Sequence, residues 1–459
     1  MLRGRLVATV AVTALLMLAF GLRLAQVETT GYRPINDAGS YLTLASYIAR
    51  TGDYSLKRTP GSGAGGTRGP SAYFAPGFPY FLALVDIIDG HETRRDGAIQ
   101  PARVSQAVVG TITVALIGLV ALELFGTTAG LIALALAAIY PVLIELSGTL
   151  VAENLLTALI LAAVYAGLRV RRAESWPARL GWVAGAGVLA GLATLTHENA
   201  VLILIPLIPA VWTGRPRLRA ASLAAPALLI VVTALTILPW TIRNAVVMHD
   251  FIPVSDETGI TLVGTYNVAS AADPQLEYKW RIFYGIPGER SLIREESALT
   301  EPGLEARLES QALHYISAHP LSPLVVAYHN TLRMLDVRGA FAWQASASAI
   351  SLSTSIAWRG IVSFWILCLL AFAGAFTKLA RNAPKWVWLV PLLLALSVVV
   401  VNVETPRFRE AVDPFLILLA AAGVATAVGR LRGAPVVRER RGAMPARPAQ
   451  LVEMVERLA

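Results

Sequence analysis

Ten mostly apolar runs constrain this chain more than any other feature of it. They lie at approximately 6–26, 102–123, 127–145, 149–168, 179–195, 199–213, 220–240, 356–377, 385–402 and 411–429. A helix needs about 20 such residues to cross a bilayer core, so the runs predict an all-α polytopic membrane protein. Composition agrees: 55% of residues are hydrophobic, 15% are charged and mean hydropathy is +0.59, too apolar for a soluble globular chain. The run at 199–213 is short and the joint at 196–199 polar, so spans five and six are expected to be tilted or broken. The first run, after MLRGR, has the outline of a signal peptide. Lacking a small-x-small cleavage site before Glu28, it reads as an uncleaved first span.

Short cytoplasmic loops are enriched in Lys and Arg, and alternate connections here are basic. Arg3 and Arg5 precede span one, and Arg169, Arg171, Arg172 and Arg179 flank the joint of spans four and five. Arg215, Arg217 and Arg219 follow span six, Lys378, Arg381 and Lys385 follow span eight, and Arg430 to Arg441 follow span ten. Ten spans put all of these clusters on one side, so both termini are expected in the cytoplasm of a bacterial cell whose inner membrane holds the chain. The net charge of +9 then reports topology rather than nucleic-acid binding. The single cysteine, Cys368, lies in an apolar run, which excludes an intramolecular disulfide and a paired-cysteine metal site.

The expected organisation is a first span at 1–26, an extracytoplasmic loop at 27–101 and spans two to seven at 102–240. A large extracytoplasmic loop at 241–355, spans eight to ten at 356–429 and a basic cytoplasmic tail at 430–459 follow. The stretch TPGSGAGGTRGP in the first loop lacks the Gly-Lys-Ser/Thr ending of a phosphate-binding loop and reads as a mobile connection. The loop at 241–355 is too long for a simple connector and should form a small domain or a set of interfacial helices.

Ionisable residues gather at the outer ends of the spans, where they are costly unless they find a partner or serve a site. Asp37 follows span one, Glu145 precedes span four, and Glu153 with Asn154 opens it. His197 and Glu198 stand between spans five and six; Arg407, Arg409 and Glu410 stand between spans nine and ten. Each also has a plainer reading. Asp37 suits an N-cap, Glu153 a helix-start charge, and His197 with Glu198 an interfacial turn. Arg407 and Arg409 could pair with Glu404 and Glu410, or hold a lipid phosphate. YFAPGFPYFLAL, from Tyr73 to Leu84, is at least an aromatic, proline-rich helix start.

In order along the chain, these features resemble the GT-C superfamily of glycosyltransferases. The likeness is to bacterial members related to protein O-mannosyltransferases and lipid A aminoarabinose transferases. It rests on Asp37 after span one, Ala75-Pro76-Gly77-Phe78-Pro79 before span two, and Glu153-Asn154 heading span four. Pro239 to Asn244 after span seven, and Arg407-Phe408-Arg409 with Pro414-Phe415 near the last span, complete it. Many relatives carry Asp-Glu in the first loop where this chain has Asp37-Ala38, and some have Arg where His197 stands.

The resemblance implies a GT-C-like bundle and an inverting glycosyltransferase. A sugar would move from a polyprenyl-phosphate donor to a hydroxyl of a protein, lipid or cell-envelope glycan on the extracytoplasmic face. Asp37 would be the general base. Arg407 and Arg409, with Arg243, Lys57 and Arg58 behind them, would meet the phosphate. Glu153, Asn154, His197, Glu198, Tyr73 and Pro76 would line the substrate site. No His/Cys ligand set is visible, so a divalent metal, if one is used, would be held by carboxylates and water. Rival readings are a polyprenyl-diphosphate-glycan ligase or polymerase, a lipid or solute transporter, and a membrane scaffold. A transporter often shows internal repeats and midplane charges, and neither is evident in this sequence.

Overall fold

The computed structural model describes residues 2–57, 68–90, 99–212, 220–286, 299–403 and 406–431. Arg58 with most of the Gly-rich stretch, Arg215, Arg217, Arg219, Glu404 and the basic tail beyond Leu431 lie outside these residues. Among the described residues, seven helices are long and apolar enough to cross a membrane. In chain order they are α1 (Leu2–Thr29), α4 (Ile99–Phe125), α7 (Glu153–Val170), α8 (Trp176–Thr196), α10 (Ala220–Met248), α16 (Ala357–Ala375) and α19 (Asp413–Leu431). The remaining apolar runs form shorter helices: α5 (Thr127–Ile139) with α6 (Pro141–Leu146), α9 (Leu204–Val211) and α18 (Lys385–Val399). The protein is therefore a multi-pass membrane protein.

The short runs are short for local reasons. Pro141 has no N–H to continue α5, so the chain turns extended at Tyr140 and restarts as α6. Residues Glu198–Ile203 form a 3₁₀ turn before α9, which breaks the fifth-to-sixth joint as its polarity predicts. Small residues let helices approach closely, as where a Cβ on Gly374 of α16 would collide with the Leu419 carbonyl oxygen of α19.

The two ends of the bundle differ. At one, arginines close helix termini. Arg172 meets Glu123 at 2.7 Å and also its carbonyl at 2.6 Å, while Arg171 donates to the Pro209 and Ala210 carbonyls at the end of α9. This is the basic end. The other end carries the two long connections. In the first, α2 (Asn36–Thr51), a two-stranded ribbon pairing Ser55–Lys57 with Arg68–Pro70, and α3 (Gly77–Asp89) pack together. In the second, α11 (Thr258–Thr265), α13 (Glu301–Ala318) and α14 (Ser322–Met334) fold around Ile260, Phe283 and Leu308, α12 (Val268–Ala271) follows α11, and α15 (Gly339–Ala349) joins the bundle core through Trp343 and Ala347.

The two connections are fastened to each other. Glu301 accepts from the Ser71 hydroxyl at 2.8 Å and the Ala72 N–H at 2.7 Å, and the Asp256 N–H donates to the Ala72 carbonyl at 2.9 Å. One turn on, Glu305 accepts from the Ile260 N–H at 2.9 Å. These bonds bring the segment 255–258 over the first loop.

Candidate active site

The site is assembled from helix starts. Asp37 lies in the first turn of α2, whose N-cap is Ile35, so its carboxylate is not spent on capping. Glu153 is the first residue of α7, after Ala152 in the N-cap position. The start of a helix carries partial positive charge and favours carboxylates. The path from α1 to α2 is fixed by Arg103, which donates to the Val27 and Thr30 carbonyls at 2.8 and 3.1 Å and to the Gly148 carbonyl at 2.7 Å.

Between the two carboxylates stands Arg407, in the 3₁₀ turn Arg407–Arg409 before α19. Its Nη1 donates to Asp37 Oδ2 at 2.8 Å, and its Nε lies 3.5 Å from Glu153 Oε1. Exposure separates the carboxylates: the Asp37 side chain is 36% exposed and that of Glu153 7%. One acid thus faces the opening while the other backs the arginine from within.

Other groups gather around these three. Tyr41, one turn after Asp37 on α2, packs its ring on Phe74 at 4.7 Å and Phe78 at 5.1 Å. Burial first, then Asp37, Glu257 and Glu153, hold its hydroxyl well above the usual range. Tyr73 sits edge-on to Phe74 at 4.7 Å. Pro76 precedes α3, whose Gly77 lies so close to α8 that a Cβ there would be 2.9 Å from the Leu195 carbonyl oxygen. The PGFP element therefore abuts the end of α8, where His197 forms the C-cap and Glu198 begins the next turn. The His197 Nδ1 is buried without a hydrogen-bond partner, and Glu198 accepts from the Ser255 hydroxyl. Glu257, two residues past Ser255, joins the group. Burial, then Glu198, Asp37 and Glu305, push its carboxyl well above the ordinary range, with Arg407 opposing.

The remaining sequence candidates do other work. Arg409 and Arg407 leave the same turn in different directions, because a 3₁₀ helix has three residues per turn. Arg409 is 1% exposed, bound to Asp336 at 2.6 Å, the Met334 carbonyl at 2.9 Å and Asp413 at 3.2 Å, with its guanidinium over Phe364. Its pairing with Glu410 is not found: Glu410 is buried with neither oxygen hydrogen-bonded. Asn154 ties α7 to α4 by donating to the Gln106 carbonyl and side chain at 2.9 and 3.0 Å. Arg243 clasps the first loop through the Ser71 and Tyr54 carbonyls at 2.7 and 2.8 Å and stacks on Trp240. Lys57 ends the first strand of the ribbon.

Two site members escape the sequence reading. Tyr41 carries a usable signal, its i+4 spacing from Asp37 on an amphipathic helix. Glu257 carries only the local acidic pair in Ser255-Asp256-Glu257, since its place depends on the long connection folding back over the first. Among the described residues no group of three His, Cys, Asp or Glu side chains is arranged to hold a metal ion. A cavity of ≈ 280 Å³ between α18 and α19 runs from Val412 past Phe415, Trp388 and Pro391 to Arg381 and Lys385 at the basic end.

Residues 74–242 match the family model of dolichyl-phosphate-mannose-protein mannosyltransferase. Comparison with curated sequences gives no match. Among solved structures, the chain is similar to the oligosaccharyltransferase AglB of Archaeoglobus fulgidus in complex with an inhibitory peptide and a dolichol-phosphate. That likeness has TM-score 0.54 at 14% identity, over 97% of this chain and 54% of that one. The same enzyme tethered to an acceptor peptide gives TM-score 0.56 at 13% identity, over 97% and 53%. ArnT from Cupriavidus metallidurans, bound to undecaprenyl phosphate, is a looser likeness at TM-score 0.40 and 17% identity, over 95% and 81%. The chain spans about half the length of the archaeal enzyme. The chain shares its membrane fold with that archaeal oligosaccharyltransferase and carries a mannosyltransferase-like segment at 74–242.

Proposed function

We propose that this protein transfers a sugar from a polyprenyl-phosphate donor to an acceptor hydroxyl, with inversion, on the extracytoplasmic face of the bacterial inner membrane. The observation that carries the reading is Arg407, one guanidinium held between a partly exposed Asp37 and a buried Glu153 at the end of the bundle opposite its basic clusters. The basic clusters at the opposite end support a cytoplasmic placement for that end, and so an external one for the site.

Arg407 is the group for the donor phosphate. A planar guanidinium recognises phosphate oxygens bidentately and stabilises the negative charge that grows on them as the glycosidic bond breaks. Phosphate arriving at Arg407 competes with Asp37 for its donors and frees that carboxylate. Asp37 then takes the proton from the acceptor hydroxyl as its oxygen attacks the anomeric carbon, a step worth about 10²- to 10⁴-fold in rate. Glu153 keeps Arg407 oriented. Glu257, whose carboxyl is raised by burial and by the neighbouring acids, faces the same place and would hold the sugar or acceptor by a hydrogen bond. The apolar cavity walled by Trp388, Phe415 and Leu416 suits the prenyl tail. The complex of AglB with a dolichol-phosphate is consistent with a donor of this kind.

The test is a transfer assay on the purified chain in nanodiscs. Radiolabelled polyprenyl-monophosphate sugars and polyprenyl-diphosphate glycans are offered separately against a membrane extract. Label leaving a monophosphate donor, and not leaving it with Asp37→Asn, supports the proposal. Consumption of the diphosphate glycan alone makes the chain a ligase instead.

A further inference from the structure

Helix α14 turns polar side chains inward and an apolar face outward, the reverse of what an element of a soluble loop domain needs. Its inward face carries Val326, Asn330, Arg333 and Met334, all buried. The opposite face bears Leu321 and Leu324, each 69% exposed, with Tyr328 at 61% and Leu335 at 41%. These positions follow the three-to-four spacing of one helical stripe. No charge interrupts it: the one charged residue of the helix, Arg333, is turned inward and donates to Asn330 Oδ1 at 2.7 Å.

The inward face fixes the depth of the helix. Asn330 donates to the carbonyl of Val399, the last residue of the membrane helix α18, at 2.9 Å, and Met334 packs on Val399 and Val403. Helix α18 has its own exposed stripe, Leu392, Leu396 and Val400, which ends at this junction. The lipid-facing surface of α18 therefore runs on into the exposed face of α14.

We infer that α14 lies in the lipid surface on the site's side of the membrane, with Leu321, Leu324, Tyr328 and Leu335 at the boundary of headgroups and acyl chains. The inference rests on the membrane-spanning reading of the bundle. Apolar area on a helix lying in this plane is buried some 5–10 Å into that boundary, and Tyr suits the level where one end of a side chain is wet. The placement bears on the site. Two residues past the end of α14, Asp336 holds Arg409 and with it the turn that presents Arg407. Lipid under α14 thus sets the height of Arg407 relative to the phosphate level of the leaflet.

The experiment is fluorescence quenching on the full chain. Cys368→Ala removes the single native cysteine. Leu324→Cys, Tyr328→Cys and, on the polar side of α13, Ser310→Cys are then labelled with bimane and placed in nanodiscs. Phosphatidylcholine brominated near the top of its acyl chains should quench the labels at 324 and 328 about twofold and leave the label at 310 unchanged. Labels at 324 and 328 that ignore brominated lipid but are quenched by aqueous iodide would overturn the placement. So would shielding from both quenchers, which would mean that protein covers the stripe. Circular dichroism confirms that each variant folds, and the readout is independent of whether the chain transfers a sugar.

Discussion

Arg407 and Arg409 leave one turn of 3₁₀ helix and enter opposite kinds of surroundings. Around Arg409 everything is closed. Residues 334–336, Phe364 and Asp413 meet on this one cation, and Asp413, fully buried, also accepts from the Tyr140 hydroxyl at 2.9 Å. Around Arg407 the partners are split between a buried Glu153 and an Asp37 open to the entrance. An arginine whose acids are all buried has no capacity for a ligand; one whose acid is exposed can exchange it for phosphate. Equal residue types in one short motif thus divide into a fastening and a binding group.

The largest effect expected from this contrast is at Asp37. Asp37→Asn keeps the shape but removes the base, and transfer should fall about 10²- to 10⁴-fold with the melting temperature little changed. A rate within a few-fold of the parent in the nanodisc assay would break the assignment. The two arginines should then separate cleanly. Arg409→Met leaves Asp336 and Asp413 uncompensated in a dry interior, a loss of about 3–5 kcal/mol seen as a lower melting temperature and poor yield. Arg407→Ala should lose less stability than Arg409→Met, because Asp37 stays solvated and only Glu153, 3.5 Å away, is left as a buried acid without its cation. Its signature is a raised KM for the lipid donor. If both variants fold poorly, the division between them is wrong.

Two smaller effects involve protons. Burial and neighbouring acids raise the Glu257 value, so its carboxyl stays protonated to higher pH than an ordinary one. Ionisation would add negative charge beside Asp37 and Glu198. Transfer should therefore decline as pH rises through that raised value, and Glu257→Gln should keep activity but lose the decline. A pH–rate profile of both proteins checks it. Glu305, raised to about 8 by burial, holds its proton in the folded loop where the free chain, near 4.5, releases it. Its share of loop stability is accordingly full below about pH 4.5 and lost as pH climbs towards 8. Amide exchange in 258–265 should quicken over that range, and Glu305→Gln should flatten the trend.

Much of this was legible in residues. The apolar runs specify the spans because lipid leaves backbone groups no partner but their own helix. The break at His197-Glu198 follows from a polar joint; the one at Pro141 interrupts the expected span 127–145 and was not anticipated, although a missing donor causes it. The order Asp37, PGFP, Glu153, Arg407 was readable because each stands next to a span and so at a known end of it. What was not legible lay in the tertiary packing of the loops. Sequence alone could not divide Arg407 from Arg409, since the partner of the latter, Asp336, lies 73 positions away. Nor could it recruit Glu257, whose place is set by Glu301 and Asp256 fastening one connection to the other. Arg243 looked like a phosphate ligand by charge and position, and carbonyls of the first loop take its donors instead.

The most direct measurement is a cryo-electron-microscopy structure of the chain in nanodiscs with polyprenyl phosphate bound. The account predicts phosphate density within hydrogen-bond reach of the Arg407 guanidinium, Asp37 released from it, and the Arg409–Asp336 pair unchanged. Phosphate bound elsewhere, with Arg407 still closed on Asp37, would contradict it.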